Sequence, residues 1–441
     1  MARRRKRLPE GEFRAEVVSM RQDGRGVADV DGRPTLLHGG LPGETVRFRY
    51  LKRRSGRDEG QVVGVLRPSE DRAEPRCAHY GLCGGCSMQH LQPAAQIRIK
   101  QDRLLTDLRE VGQVQPQTVL QPITNESPWG YRRKARLGAK NVLRKGRVLV
   151  GFRERGSGFV ADLERCHVLH PKVGMLLPEL SALIDSLSIS DRLPQIEVAM
   201  DDERCVLILR VLDPPSPEDK RLLETFQQTH ELVFYLQPGG PDTVRPLGEG
   251  IDLCYRLPEL DLTLGFLPTD FTQVNSEINR KMIARSMELL DLQSSDRVLD
   301  LFCGIGNFTL SIARGCEAVV GVEGDAGLVD RARANAVRNG IQNAEFFSAD
   351  LYAELADDDW LECRFDKALL DPPRSGALEV LPLLPRLGVR RIVYVSCYPG
   401  TLARDAGELV HRHGYSLVSA GIMDMFPQTA HVESIALFEK V

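Results

Sequence analysis

The chain has 441 residues, which is enough for two to four domains of ordinary size. Hydrophobic residues make up 42% and charged residues 27%, the balance of a soluble protein with apolar cores. No apolar stretch reaches the roughly 18–20 residues of a membrane span, so a membrane partner is not expected. The basic residues 1–7 are not followed by an apolar segment, which argues against a secretory signal and favours a cytoplasmic protein.

Charge is distributed unevenly along the chain, although the net charge is only −3. Residues 1–60 hold 15 Lys and Arg against 9 Asp and Glu, and residues 128–155 hold 10 against 1. These two basic islands, with net charges of +6 and +9, lie in an otherwise acidic chain. A basic run alone is most often a solvated face. Two such islands in an acidic chain indicate surfaces that bind a polyanion.

Short β runs separated by Gly-rich turns occupy residues 8–68 and predict a small β-barrel. This segment resembles a TRAM domain, an OB-like RNA-binding barrel, and the resemblance is carried by the short motifs Gly26-Val-Ala and Leu41-Pro-Gly-Glu. Helical periodicity follows from Ala94 to Val111. Residues 130–265 mix strands with two helices near 172–188 and 217–229, which predicts an α+β central domain over residues 75–265.

From residue 266 to 441, apolar strands alternate with helices. The strands begin near Arg297, Ala318, Phe365 and Arg391. This alternation predicts a doubly wound parallel sheet, a Rossmann-like α/β domain.

A glycine turn after the first of these strands indicates a nucleotide-type ligand. Gly304 and Gly306 allow close approach of the backbone, but such a turn fits NAD, ATP or S-adenosylmethionine. Thr309 stands where a dinucleotide motif has its third glycine, and no phosphate-binding lysine is present. Glu323 ends the next strand, where a ribose is bound, and Asp350 follows the third strand, near an adenine. Each of these acidic residues alone could be a solvated loop residue or a helix cap. Because they occur at the ends of successive strands, we favour S-adenosylmethionine as the ligand.

The fourth strand ends in Asp371-Pro-Pro-Arg374, a rigid loop that would hold Asp371 over the ligand crevice. Related methyltransferases that act on exocyclic amines have an aromatic residue at the fourth position of this motif. Arg374 therefore disfavours N-methylation of a stacked base.

Cys397 and Glu433 are the candidate catalytic pair. Cys397 follows the next strand on the same rim of the sheet, where a thiol can act as a nucleophile, although a buried strand cysteine is usually inert. Glu433 begins the final strand and reaches the same rim if that strand is antiparallel; alone it would be a solvated turn acid. A thiolate that adds to carbon 6 of uracil activates carbon 5 for methylation, and a base must then remove the carbon-5 proton.

Together these motifs resemble the RNA (uracil-5-)-methyltransferase family, whose members have a class I methyltransferase domain. The resemblance is carried by Phe271-Thr-Gln-Val-Asn, the glycine turn, Asp371-Pro-Pro-Arg, Ser396-Cys397 with Thr401-Leu-Ala-Arg-Asp, and His431-Val-Glu. It implies Cys397 as nucleophile and Glu433 as base. It also implies a set of S-adenosylmethionine contacts: Gln273, Phe302, Asn307, Glu323, Asp350 and Asp371. The family usually has Asn after the catalytic cysteine, where this chain has Tyr398.

A cysteine cluster, Cys77-x5-Cys83-x2-Cys86 with Cys166 downstream, predicts a metal site. Structural zinc more often uses two C-x-x-C knuckles and only one is present, so three cysteines plus a remote fourth favour a [4Fe-4S] cluster with a structural or RNA-positioning role. The 23S rRNA members of the family share this pattern and the TRAM barrel, whereas the tRNA members usually lack both.

The sequence therefore predicts an enzyme that makes 5-methyluridine in 23S rRNA through a covalent Cys–C6 adduct. In the second basic island, Trp129, Tyr131 and Phe152 interleave with cations, as expected for stacking on unpaired bases. No obligate protein partner is evident. The alternatives are a tRNA uracil-5-methyltransferase and a non-catalytic RNA-binding assembly factor.

Overall fold

The computed structural model describes residues 8–21, 23–54, 56–353 and 359–441. The basic segment 1–7 lies outside these residues. The chain divides into two compact units. Unit 1 comprises residues 1–100, 152–161 and 426–431, and unit 2 comprises residues 101–151, 162–425 and 432–441. The predicted boundaries of three domains stay a prediction. Within the described ranges, no helix has both the length and the apolar character needed to cross a membrane.

Unit 1 contains the predicted barrel. Its strands are β1 (Phe13–Met20), β2 (Gly26–Val30), β3 (Arg33–His38), β4 (Thr45–Arg54) and β5 (Arg57–Arg67). They close in the order β1-β2-β3-β5-β4 around a core that includes Val17, Leu37 and Phe48. Gly60 on β5 is required there, because a Cβ would lie 2.6 Å from the Phe48 ring. The barrel prediction is confirmed. The predicted helix after it is also present, as α1 (Pro93–Glu110).

The first part of unit 2 is an α+β layer. It follows the short strand β6 (Thr118–Val119), which belongs to the sheet of the second part of unit 2. Its elements in chain order are β7 (Lys134–Val142), β8 (Arg147–Gly151), α2 (Pro171–Gly174), α3 (Leu177–Ser186), β9 (Gln195–Met200), β10 (Cys205–Arg210), α4 (Pro217–His230), β11 (Val233–Gln237), β12 (Arg245–Pro246), β13 (Leu253–Leu257) and β14 (Leu262–Phe266). Six of the strands form a sheet in the order β12-β11-β10-β9-β7-β8, while β13 and β14 pair as a hairpin. The two predicted helical regions correspond to α2–α3 and to α4.

The remainder of unit 2 is the predicted Rossmann-like domain. Its elements are α5 (Ser276–Leu290), β15 (Arg297–Leu301), α6 (Thr309–Ala313), β16 (Ala318–Glu323), α7 (Ala326–Arg338), β17 (Ala344–Ser348), β18 (Lys367–Leu370), α8 (Leu383–Arg386), β19 (Arg391–Ser396), α9 (Pro399–His413), β20 (Tyr415–Met423) and β21 (Glu433–Lys440). The sheet has the order β17-β16-β15-β18-β19-β21-β20-β6.

The pairing of these strands sets the position of the site. The strands β15 to β19 are mutually parallel, and β21 inserts antiparallel between β19 and β20. Strand β15 pairs with β16 on one side and with β18 on the other, so the strand order reverses at β15. In open α/β sheets, ligands bind at the carboxyl ends of the strands beside such a reversal. This places the expected site at the end of β15.

Candidate active site

The turn after β15 brings backbone, rather than side chains, to the ligand crevice. Gly304 and Gly306 have φ angles of +56° and +90°, a region that favours glycine. Phe302, directly before them, also has a positive φ of +66°, which is uncommon for a bulky residue. The amide groups of Phe302 and Cys303 both donate to the carbonyl of Val322, so the neighbouring strand holds this conformation. Such strained backbone often occurs at ligand sites.

Three carboxyl groups surround the turn. Glu323, at the end of β16, accepts hydrogen bonds from the amides of Gly304 (3.0 Å) and Asp325 (3.1 Å). Asp300, buried within β15, accepts a 2.5 Å hydrogen bond from the hydroxyl of Thr309. Its other oxygen is buried and has no hydrogen-bond partner in the described residues. Asp371 directly follows β18, and its amide donates to the carbonyl of Leu301.

These carboxyl groups give the crevice an acidic lining. Burial, with smaller contributions from the charges of Asp371 and Glu323, raises the pKa of Asp300 to about 8, although the hydrogen bond from Thr309 opposes the shift. Burial also raises the pKa of Asp371 to about 7. A ligand with positive charge relieves such a cluster, whereas the phosphates of NAD or ATP would be repelled. The sulfonium and ammonium groups of S-adenosylmethionine fit this acidic lining.

Asp350 and Tyr352 lie in the loop after β17. Asp350 is exposed and accepts a hydrogen bond from the amide of Tyr352 (3.0 Å). The Tyr352 ring lies 5.8 Å, between centroids, from that of Phe302. The two rings form an apolar wall beside the acidic groups, as an adenine ring would require.

Gln273 and Asn307 occupy the side of the site that faces the β13–β14 hairpin. Gln273 is partly exposed and lines a cavity together with Tyr255 and Asn279. The Asn307 amide exchanges two hydrogen bonds with the Asn279 amide and accepts a third from the Tyr255 hydroxyl at 2.7 Å. The side chain of Asn307 therefore fixes the helix start after the glycine turn, and its direct contact with the cofactor stays a prediction.

Cys397 and Glu433 meet across two paired strands. Strands β19 and β21 are antiparallel, with Ser396 opposite Ser434 and a further hydrogen bond from the Ser434 hydroxyl to the Ser396 carbonyl (3.2 Å). The same register places Cys397, one residue beyond β19, opposite Glu433, the first residue of β21. Glu433 is buried, at 7% exposure. The antiparallel final strand on which this pairing depended is confirmed.

The surroundings of Cys397 favour its thiol form. Burial raises the pKa of the Cys397 thiol to about 11, and the charges of Glu433 and Asp371 raise it as well, whereas Arg374 lowers it. Both carboxyl groups are therefore close enough to act on the thiol electrostatically. A thiol with this pKa is almost entirely protonated near pH 7, so its attack requires transfer of the proton to a nearby base.

Tyr398, at the position of the family's usual Asn, is the N-cap residue of α9 and is 42% exposed. Its ring covers Gly400, where a Cβ would lie only 2.9 Å from the ring. The ring is thus accessible beside Cys397.

Several residues that position the site gave no signal in the sequence. Tyr352 follows the predicted Asp350 but belongs to no motif, and Asn279 and Tyr255 lie in ordinary helix and strand patterns. Asp405 ends the segment Thr401-Leu-Ala-Arg-Asp, but the sequence does not indicate what its carboxylate contacts. It is fully buried in α9 and accepts hydrogen bonds from the Ala377 amide and the Tyr394 hydroxyl.

The cysteine cluster lies partly in unit 1. There, the amide of Gly85 donates to the sulfur of Cys83 at 3.4 Å, and Cys77 and Cys86 are partly exposed. Cys166 lies in unit 2 and is buried, at 8% exposure. Considering only the described residues, no three His, Cys, Asp or Glu side chains form a group that could hold a metal ion. The [4Fe-4S] cluster therefore stays a prediction.

Several cations of the second basic island form ion pairs with nearby carboxylates, most of them at the protein surface. Arg133 pairs with Asp202, Arg136 with Glu197, and both Lys145 and Arg147 with Asp162. Lys134 donates to the carbonyls of Pro268 and Asp270, and desolvation lowers its pKa to about 8. Tyr131 is buried, at 8% exposure, so its predicted stacking on RNA bases is wrong. The exposed cations on β7, β8 and the turn between them are Arg136, Lys140, Arg144, Lys145 and Arg147.

Glu323→Ala should weaken binding of S-adenosylmethionine. The variant removes a charge-assisted acceptor for the ribose, which costs about 1.5–3 kcal/mol, or roughly tenfold to 150-fold in affinity. Calorimetry with S-adenosylhomocysteine measures the change. Glu345→Ala, which removes an exposed carboxylate from the neighbouring strand β17, is the control and should leave the affinity unaltered. Equal affinities of both variants would remove Glu323 from the site.

Comparison with curated proteins finds relatives along the whole chain. A protein of Alkalilimnicola ehrlichii named 23S rRNA (uracil(1939)-C(5))-methyltransferase RlmD is 54% identical over 100% of this chain and 99% of its own length. Proteins of the same name from Nitrosococcus oceani and Stenotrophomonas maltophilia R551-3 are 54% and 52% identical, over 99% and 100% of this chain and 98% and 100% of their own lengths.

A family model and a solved structure agree with these matches. The model described as tRNA (Uracil-5-)-methyltransferase matches residues 259–441. The crystal structure of the Pyrococcus abyssi tRNA (uracil-54, C5)-methyltransferase with S-adenosyl-L-homocysteine has a similar fold, with a TM-score of 0.74. It is 22% identical and covers 97% of this chain and 100% of its own. Since relatives more than 50% identical span the entire sequence, the chain belongs to the RNA (uracil-5-)-methyltransferase family.

Proposed function

We propose that the protein transfers the methyl group of S-adenosylmethionine to carbon 5 of one uridine in 23S rRNA, giving 5-methyluridine. The observation that carries the proposal is the register of β19 and β21, which sets Cys397 opposite Glu433 beside the crevice that Asp300, Glu323 and Asp371 line. The relatives' shared name specifies the target as uracil 1939, and we extend that target to this chain. Action on rRNA implies a cytoplasmic enzyme.

The chemistry follows from the two catalytic residues. The Cys397 sulfur adds to carbon 6 of the uracil after its proton is transferred to the Asp371 carboxylate, which leaves Glu433 unprotonated, and the ring becomes an enolate nucleophilic at carbon 5. S-adenosylmethionine supplies an electrophilic methyl group when bound. After methyl transfer, Glu433 removes the proton on carbon 5, and the resulting electron pair expels the Cys397 thiolate from carbon 6. The target base must leave its stack to reach Cys397, as in other enzymes that act on bases.

The residues around the crevice hold the methyl donor in this account. Glu323 binds the ribose, Asp350 lies on the adenine side, and the ring of Phe302 covers the adenine. Gln273, Asn307 and Asp371 complete the set that we assign to the donor. Asp371, which affects the Cys397 thiol electrostatically, also lies close to where the uracil would enter.

Two other functions make different predictions. A tRNA substrate fits the same chemistry, and the structural neighbour in Pyrococcus abyssi is a tRNA enzyme. A non-catalytic assembly factor would not need Cys397 and Glu433 opposite each other. To distinguish these functions, the protein is incubated with labelled S-adenosylmethionine and a mixture of ribosomal RNA and tRNA from a strain that lacks the gene. Incorporation of the label into each RNA is then measured. We expect methyl incorporation at one uridine of 23S rRNA; incorporation only into tRNA would contradict the proposal.

The barrel of unit 1 offers a phosphate-binding surface. Arg14 on β1 lies directly opposite Arg47 on β4, and both are exposed. Like charges in this arrangement are destabilising, so an anion between them is favoured. Glu12 neutralises only part of the charge, through 2.8 Å contacts with Arg47 and Arg49. We assign this surface to the RNA backbone.

The double variant Arg14→Ala/Arg47→Ala should weaken RNA binding and reduce the slope of log affinity against log salt concentration by about two, since each phosphate contact contributes about one. The control Lys220→Ala/Arg221→Ala removes two exposed cations from α4. Fluorescence anisotropy over a salt series measures both. An unchanged slope in the barrel variant would mean that this face does not contact phosphates.

The iron–sulfur cluster is a separate part of the proposal. Cys77, Cys83, Cys86 and Cys166 supply four thiolates, the donor set of a [4Fe-4S] cluster. The Gly85 amide that donates to Cys83 resembles the hydrogen bonds that stabilise cluster-bound sulfur. Such a cluster would have a structural role and would take no part in methyl transfer.

Protein purified without oxygen should be brown and contain about four irons per chain, because four cysteine ligands satisfy one cluster. Iron analysis and the visible absorption spectrum measure this. Cys83→Ser should lose the iron, whereas Cys363→Ser, which alters a cysteine outside the cluster, should retain it. Stoichiometric zinc without iron would overturn the assignment.

A further inference from the structure

The loop of residues 371–377 connects β18 to the segment before α8 and carries two groups that act on the nucleophile. Asp371 opposes the negative charge of the Cys397 thiolate, while Arg374 stabilises it. These residues lie in neither a helix nor a strand. Side chains that fix this 371–377 loop therefore control the electrostatic environment of Cys397.

One side of the 371–377 loop is anchored to α9. The buried Asp405 carboxylate accepts hydrogen bonds from the Ala377 amide (2.8 Å) and from the Arg404 guanidinium (2.7 Å). Arg404 in turn donates to the carbonyl of Ser375 (2.9 Å). Gly376 has a φ of +83°, and a Cβ there would lie 2.6 Å from the Asp405 carboxylate. The loop is therefore packed against this anchor without room for a side chain at Gly376.

The opposite side is held by Tyr352, from the loop after β17. Its hydroxyl donates to the carbonyl of Gly376 (3.0 Å) and is 2.8 Å from the Ser375 hydroxyl. Its ring lies beside Phe302, and its amide binds Asp350. Tyr352 thus contacts both of these proposed cofactor residues and, through one hydroxyl, the 371–377 loop.

We propose that Tyr352 is a positioning residue that ties the 371–377 loop to the methyl-donor pocket, and so sets Asp371 and Arg374 relative to Cys397. This inference rests on the proposed function, because it assigns the Phe302 side of the crevice to the methyl donor. Its ring and its hydroxyl then have separable tasks. The ring forms the pocket wall, and the hydroxyl holds the loop.

The test compares Tyr352→Phe with Tyr352→Ala. Tyr352→Phe keeps the ring and loses two hydrogen bonds, so kcat should fall about fivefold to tenfold while the KM for S-adenosylmethionine and the affinity for S-adenosylhomocysteine stay within about twofold. Tyr352→Ala should lose affinity for the cofactor as well. Tyr415→Phe removes a tyrosine hydroxyl that donates to the Val389 carbonyl in the same unit, and it should behave as the wild type.

Two results would overturn the proposal: an unchanged kcat in Tyr352→Phe, or a loss of cofactor affinity equal to that of Tyr352→Ala. A third measurement is independent of RNA methylation. The rate at which iodoacetamide alkylates Cys397, followed on its peptide by mass spectrometry, should differ at least twofold between Tyr352→Phe and wild type. If the wild type methylates no RNA, the proposed function fails. The alkylation rate of Cys397 still tests the positioning role of Tyr352, because an unchanged rate in Tyr352→Phe rejects that role.

Discussion

Cys397→Ala should abolish methylation and any covalent RNA adduct. No sulfur is then available to add to carbon 6, so carbon 5 stays a poor nucleophile. Loss of a nucleophile typically lowers kcat by about ten-thousandfold or more, below the detection limit of a methyl-transfer assay. The measurement is incorporation of labelled methyl groups into 23S rRNA transcripts, with denaturing gels to detect the adduct.

Cys316→Ala is the matched control, because Cys316 lies just before β16, at the amino ends of the parallel strands and away from the proposed site. It should methylate at the wild-type rate. Binding of S-adenosylhomocysteine to Cys397→Ala should also persist, which shows that the variant is folded. Residual methylation by Cys397→Ala above one-hundredth of the wild-type rate would contradict a covalent mechanism.

Glu433→Gln should accumulate a covalent RNA adduct, whereas Cys397→Ala should form none. Addition of the thiolate and methyl transfer do not require Glu433, but removal of the carbon-5 proton does. Elimination then stalls, so the protein should accumulate covalently bound to RNA that already carries the new methyl group. Turnover should fall by about a hundredfold to ten-thousandfold, the usual contribution of a general base. A gel shift that carries both protein and methyl label is the readout.

Glu439→Gln provides the control on the same strand. Glu439 lies near the other end of β21 and pairs with Arg391, so this variant removes a carboxylate without altering the rim of the sheet. It should turn over normally and form no stable adduct. Full turnover by Glu433→Gln, or the absence of an adduct from both Glu433→Gln and wild type under single-turnover conditions, would mean that another group is the base.

The local patterns in the sequence predicted most of the architecture. Alternating β runs with glycine turns predicted the barrel, and apolar strands separated by helices predicted the parallel sheet, because both periodicities arise from burial along one chain segment. The same logic placed Gly304, Glu323, Asp371 and Cys397 on one rim, since carboxyl ends of parallel strands lie together.

The remaining parts of the site depend on contacts between distant segments. Nothing in the order of residues shows that Asn279 pairs with Asn307, or that the Tyr352 hydroxyl reaches Gly376. In the second basic island, the sequence shows the charged residues but not their partners. Its charges were visible in the sequence, but their carboxylate partners, such as Asp162 and Asp202, follow from tertiary structure. Counting cations therefore does not show which of them already pair with a carboxylate.

Release of tritium from a 23S rRNA transcript labelled at carbon 5 of uridine tests the central claim most directly. In this account, each methyl group transferred requires one proton to leave carbon 5, so wild-type protein should release one tritium per methyl group and stop at one uridine per transcript. Methyl transfer without tritium release would place the methyl group on another atom and contradict the mechanism. Release from tRNA transcripts alone would contradict the substrate.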